Sequence, residues 1–149
     1  MSTAEELLTL EDEAWSRFRD AFASVPEPRR DDPTGDSGWS VKDLVWHCAY
    51  WADYVGTVLE HLTQGMPVPV DQDWDGMNAA IARESQTMGW DEVIVGARRG
   101  RDRARAALLA MPEVTEDAER EFAGETFEHY DEHAAEIERF AATLDQAAE

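Results

Sequence analysis

Residues Glu125–Phe140 read ETFEHYDEHAAEIERF, and the rest of the chain is organised around this stretch. Tyr130, His133, Ile137, Phe140 and then Leu144 recur at three- and four-residue spacing, the period of a helix with one face turned to a core. His129 and His133 are four apart, so their imidazoles stand one above the other on the same side of that helix. Histidines that face inward need either hydrogen bonds within the core or something to hold.

Working outward, the same period recurs in blocks separated by turn residues. Thr3 and Glu6 form a capping box ahead of Leu8, Glu11, Trp15, Phe18, Phe22 and Val25, which predicts a first helix over about 4–23. Pro26, Pro28, Pro33, Gly35 and Gly38 then make a loop. Ser40 is a good N-cap and Asp43 suits the first turn of a second helix. Its stripe of Leu44, His47/Cys48, Trp51, Val55, Leu59 and Leu62 lasts to about Thr63. Gly65, Pro67 and Pro69 end it, and the stretch MPVPV reads as extended. Trp74–Ser85 reads as a shorter helix with Met77, Ala80 and Ile81 inward. Asp91 is expected to cap a helix that runs to about Met111, in which Gly96 and Gly100 predict close approach to a neighbour. Residues 112–124 read as a connector with room for a helical turn, and the last helix covers about 126–146. No alternating strand, internal repeat or low-complexity tract interrupts this pattern. The expected fold is all-α: an antiparallel four-helix bundle with a short extra helix, forming a single domain over 1–149.

A chain of 149 residues is long enough for one sizeable core and short for two. Its 43% hydrophobic content, with six Trp and five Phe, is that of a globular protein despite 31% charged residues. The net charge of −20 argues against nucleic acids and anionic membranes as partners, since both require basic surface. The opening MSTAEELL lacks the basic and apolar regions of a secretory signal, and no apolar run nears the roughly 18 residues of a membrane span. A cytoplasmic location is therefore expected. The single cysteine, Cys48, cannot form an internal disulfide and agrees with that.

Of the four histidines, His61 falls in the last turn of the second helix, where it complements the helix dipole. The other three, His47, His129 and His133, lie on inward stripes of two helices. An i, i+4 pair completed by a third imidazole from a neighbouring helix is a metal-binding arrangement. Neutral imidazoles suit zinc, nickel, iron(II) or manganese, with zinc or nickel first, and leave positions open for water or substrate. His129-Tyr-Asp-Glu-His133 formally matches H-x-x-E-H, but only 16 residues follow, too few for a downstream carboxylate ligand. Tyr130 breaks the forward H-E-x-x-H motif, and Thr126 and Tyr130 replace the glutamates of a di-iron bundle. A mononuclear three-histidine site is what remains.

The stretches GWSVKDLVWHCAYW, DWDGMNAAIARES and ETFEHYDEHAAEI resemble the DinB-like superfamily, from about residue 38 onward. Its members are metal-binding four-helix bundles that include bacillithiol S-transferases and the mycothiol-dependent maleylpyruvate isomerase. The resemblance implies the bundle fold and a divalent metal on the second-helix histidine and the C-terminal H-x-x-x-H, which map onto His47, His129 and His133. It also implies thiol chemistry, in which the metal activates a low-molecular-weight thiol such as mycothiol or bacillithiol toward an electrophile. A metal-dependent thiol S-transferase or isomerase acting on a small molecule is thus the leading expectation. Two others stand beside it: a non-catalytic bundle whose metal staples two helices, serving as a binding or stress-response module, and a metal-assisted hydrolase with Glu125 or Glu132 as base.

Other residues carry narrower expectations. Asp43, one turn before His47, is a candidate to hold the second ring nitrogen of that histidine, with first-turn capping as its alternative role. Arg101 and Arg105, in the only basic cluster, either clamp an anionic substrate or pair with the protein's own carboxylates. Cys48 reads as core packing. Trp74 and Trp90 near the loops, together with the resemblance, lead to the expectation of a homodimer.

Overall fold

The computed structural model describes residues 2–35 and 37–148, which contain six α-helices and no strand. They are α1 (Ala4–Ala23), α2 (Val41–Thr63), α3 (Trp74–Ser85), α4 (Trp90–Leu109), α5 (Glu116–Glu125) and α6 (Phe127–Ala148). A 3₁₀ turn at Glu27–Arg29 lies in the first loop. The capping boxes at Thr3/Glu6 and Ser40/Asp43 both form, each satisfying two backbone donors that a helix start leaves without partners. At the far end of α2, Gly65 adopts φ +80°, and the Met66 N–H returns to the His61 carbonyl at 2.9 Å. That left-handed step ends the helix where a side chain would be strained.

Two boundaries differ from the sequence reading. Helix α4 starts two residues early: Gly89 is its N-cap and the Glu92 carboxylate accepts from the Gly89 N–H, so Asp91 lies in the first turn. The expected connector contains α5, a ten-residue helix capped by Thr115. Its inward face holds little more than Ala118, Phe122 and Ala123, so its period is faint among the surrounding acidic residues. Helices α5 and α6 are one rod broken at the buried Thr126, whose hydroxyl donates to the Phe122 carbonyl at 2.6 Å.

The four long helices form two parallel pairs that run antiparallel to each other. Within the α2/α4 pair, Gly96 lies against Trp46, Gly100 against Ala49 and Gly56 against Arg103, so the residue numbers rise together. A Cβ at Gly100 would strike the Ala49 carbonyl oxygen, so glycine there lets the two backbones touch. In the α1/α6 pair, Trp15 meets Tyr130, and Arg17 reaches Asp131 and Glu138. Between the pairs the register reverses: Arg105 bonds the Leu8 carbonyl while Phe22 meets Trp90. A parallel α2/α4 pair needs a return crossover, and residues 64–89, with α3, supply it.

The core has two lobes. One gathers Trp15, Phe18, Phe22, Leu44, Tyr130 and Ile137, with Phe18 stacked on Tyr130 at 5.5 Å between ring centroids. The other gathers Leu7, Val55, Leu59, Leu108 and Phe122. The first half of α2 faces the start of α6 and its second half faces α5. This crossing is where the histidines meet.

Candidate functional site

His47 sits in the second turn of α2, and His129 and His133 occupy the first two turns of α6. The antiparallel crossing brings one nitrogen from each to within 4.8 Å of the others. His47 Nε2 and His129 Nε2 are 3.0 Å apart, and the ring centroids of His129 and His133 are separated by 4.7 Å. His47 and His133 are buried, and His129 is nearly so. Burial, followed by the neighbouring His133, depresses the His47 pKa to about 3. Burial, then His133 and His47, depresses that of His129 to about 2. Both imidazoles are therefore neutral at physiological pH, the form that donates a lone pair.

The hydrogen-bond inventory tests whether a cation fits. Each neutral imidazole carries one N–H and one lone pair. The contact between His47 and His129 uses one of each, and the Nδ1 atoms of both rings lack a hydrogen-bond partner. A core that merely tolerated these residues would leave them half satisfied, at roughly 1–3 kcal/mol per group. His133 is oriented differently. Its Nδ1 lies 3.2 Å from Glu136 Oε1, and the Thr34 hydroxyl donates to the other oxygen of Glu136 at 3.2 Å. With that carboxylate against Nδ1, a neutral His133 ring would carry its proton there and offer Nε2, the arrangement that supports of metal-binding histidines impose. The donor set suits a borderline divalent ion with three imidazole ligands.

One side of the cluster opens into a cavity of about 340 Å³, into which His47 and His129 both face. Its walls are aromatic: Trp51 and Tyr54 from α2, and Trp74 from α3. The Trp51 indole donates to Asn78 Oδ1 at 2.9 Å, which fixes its ring. Glu121 and Glu125 of α5 form the polar flank. Glu125 Oε2 is 3.9 Å from His129 Nδ1, and burial, then the charge of Glu121, pushes the Glu125 carboxyl up to about 7. On another side of the cluster Trp39 covers His47, with ring centroids 4.9 Å apart.

The remaining sequence candidates lie elsewhere. Asp43 accepts from the Ser40 N–H at 3.0 Å and from the Ser85 hydroxyl, tying the start of α2 to α3, and does not hold His47. Arg101 grips the fully buried Glu11 in a bidentate pair, with Nε to Oε1 at 2.6 Å and Nη2 to Oε2 at 3.1 Å. Arg105 also bonds Glu11, together with Asp12 Oδ1 at 3.0 Å. Neither arginine lines the cavity. Cys48 is buried in the core, and Glu132 is exposed and away from the cavity. Trp74 is a cavity wall, and Trp90 lies under the Arg30 guanidinium at 4.4 Å. The sequence reading missed Glu121, Asn78, Glu136 and Thr34. Only the i, i+3 spacing of His133 and Glu136 offered a local signal.

Residues 10–126 match the family described as the mycothiol maleylpyruvate isomerase N-terminal domain. The match takes in His47 and the cavity walls and ends before His129 and His133. Among solved structures, an uncharacterised protein from Escherichia coli UTI89 superposes with a TM-score of 0.81 over 97% of this chain and 96% of that one. At 14% identity that likeness is one of fold. No curated protein matches the chain.

Proposed function

The chain belongs to the mycothiol maleylpyruvate isomerase N-terminal domain family, and from that premise we propose that it is a metal-dependent enzyme joining a low-molecular-weight thiol to a small electrophile, as an S-transferase or an isomerase. The observation that carries the reading is the convergence of three histidines, two of them held neutral by burial and lining an aromatic cavity. His47, His129 and His133 are the ligands. A divalent ion on three neutral imidazoles keeps its full charge, lowers the pKa of a thiol it binds, and stabilises negative charge that develops beside it.

The protein's own groups do the rest. Glu136, braced by Thr34, holds the His133 ring. Trp39 shields His47 from solvent on the side away from the cavity. Glu125 takes the thiol proton on Oε2; burial and the charge of Glu121 raise its proton affinity in the metal-free protein, which suits a base. In transfer, the S–H bond breaks with its proton on Glu125, a C–S bond forms, and the displaced electron pair departs with the leaving group. In isomerisation, that pair moves into a conjugated acceptor and returns when the C–S bond breaks. Trp51 and Tyr54 form the wall against which the electrophile lies.

The test is turnover of model electrophiles by zinc- or nickel-loaded protein with a panel of thiols that includes mycothiol and bacillithiol. Metal-dependent turnover that falls at least a hundredfold in Glu125→Gln and is lost in His47→Ala is expected. Metal-loaded protein inert with every thiol would refute thiol transfer. Glu125 would then be tested as the base for water, because its position serves hydrolysis equally well.

A further inference from the structure

Apart from the neutral His47 and His129, the cavity has an aromatic and acidic lining, with no lysine or arginine among the described residues that line it. Trp51, Tyr54 and Trp74 meet nearly edge to face, at interplanar angles of 78° for Trp51–Tyr54, 62° for Trp51–Trp74 and 82° for Tyr54–Trp74. Their centroids lie 5.1 to 6.2 Å apart, so the rings form three walls of a corner. Faces of such rings are electron-rich and attract cations, most strongly where water is excluded. Glu121 and Glu125 add carboxylates to the same space. After burial itself, the charges of Glu121 and Glu125 raise the Tyr54 pKa, a sign of negative potential at the corner. The cationic side chains nearest in sequence to a substrate-clamp role are tied down: Arg101 and Arg105 to Glu11 and Asp12, Arg103 to Asp53 and Glu60. The net charge of −20 acts in the same direction over longer range.

We infer that this cavity selects a small substrate bearing an alkylated ammonium group, which lodges in the Trp51–Tyr54–Trp74 corner beside Glu121 while the reacting end reaches the histidines. The inference rests on the cavity being the substrate site of the function proposed above. It places an anionic group at a disadvantage in that corner. His47, a buried lining residue with its Nδ1 unpartnered, marks the cavity as built for a ligand rather than as a surface dent.

Calorimetric titration with choline, with its neutral carbon isostere 3,3-dimethylbutan-1-ol, and with succinate tests it on the intact protein. Choline is expected to bind about tenfold more tightly than the isostere, and succinate more weakly than both. Trp74→Ala, a change at a half-exposed wall, and Glu121→Gln, which removes only charge, are each expected to weaken choline about fivefold while leaving the isostere within about twofold. Equal binding of choline and isostere, no choline binding at tens of millimolar, or a preference for succinate would overturn the inference. Zinc content measured on the same samples separates the two readings. Protein that holds zinc without a cation preference refutes only this inference, and protein that prefers choline but takes no zinc refutes only the metal assignment.

Discussion

His47 and His129 face each other across the α2–α6 contact, Nε2 to Nε2, and the Nδ1 of each ring has no hydrogen-bond partner. Their folded pKa values lie below the ordinary histidine value of 6.5, so protonation favours the unfolded chain. Their contribution to stability is complete above about pH 6.5 and is lost as pH falls toward 3. Thermal melts of metal-free protein should therefore show Tm falling steadily below pH 6.5, and His47→Gln/His129→Gln should flatten that slope. Cys48 behaves in the opposite sense. Burial pushes its thiol up, so it should resist iodoacetamide in native buffer and react on unfolding, as mass spectrometry would show. The three histidines were legible in the sequence because helical spacing alone puts them on inward faces. Glu136 was only half legible, since its i, i+3 relation to His133 says nothing of Thr34, 102 positions away. Glu121 and Asn78 were not legible, because the cavity they line exists only once α3 and α5 are packed on α2.

At the scale of elements, caps and turn residues located α1, α2 and α3 within a residue, since each start carries a side chain that satisfies its own backbone donors. Helix α5 escaped because its inward face is too small for its period to stand out among acidic neighbours. The G-x-x-x-G of α4 foretold close packing but not its direction, which depends on the crossover through α3. Gly100→Ala should test that contact. Its Cβ would meet backbone of α2, not a mobile side chain, so the helices must separate. A loss of about 1–3 kcal/mol is expected from overpacking of this kind, read as a drop in the urea midpoint. Unchanged stability would mean that α2 and α4 are not in backbone contact there.

Over the whole molecule, the buried Glu11 clasped by Arg101 and Arg105 ties α1 to α4 and thereby joins the two parallel helix pairs. The arginine cluster was legible as basic surface with two possible roles, and its partners lie about ninety positions away, beyond any local pattern. Arg101→Ala would leave Glu11 with a buried charge short of one partner, at a cost of about 3–5 kcal/mol, with KM changing less than about twofold for any substrate of the proposed activity. A large rise in KM with unchanged stability would instead restore the arginines to the substrate. The net charge of −20 adds a second global expectation: Tm should rise between low salt and about 0.5 M sodium chloride as self-repulsion is screened. We propose above all that the crossing of α2 and α6 holds a divalent metal. Elemental analysis of tag-free protein, wild type against His129→Ala/His133→Ala, tests it most directly. About one divalent ion per chain is expected in wild type and none in the variant. Wild-type protein that takes up no ion after incubation with zinc, nickel and manganese would contradict it and leave the three histidines as core residues.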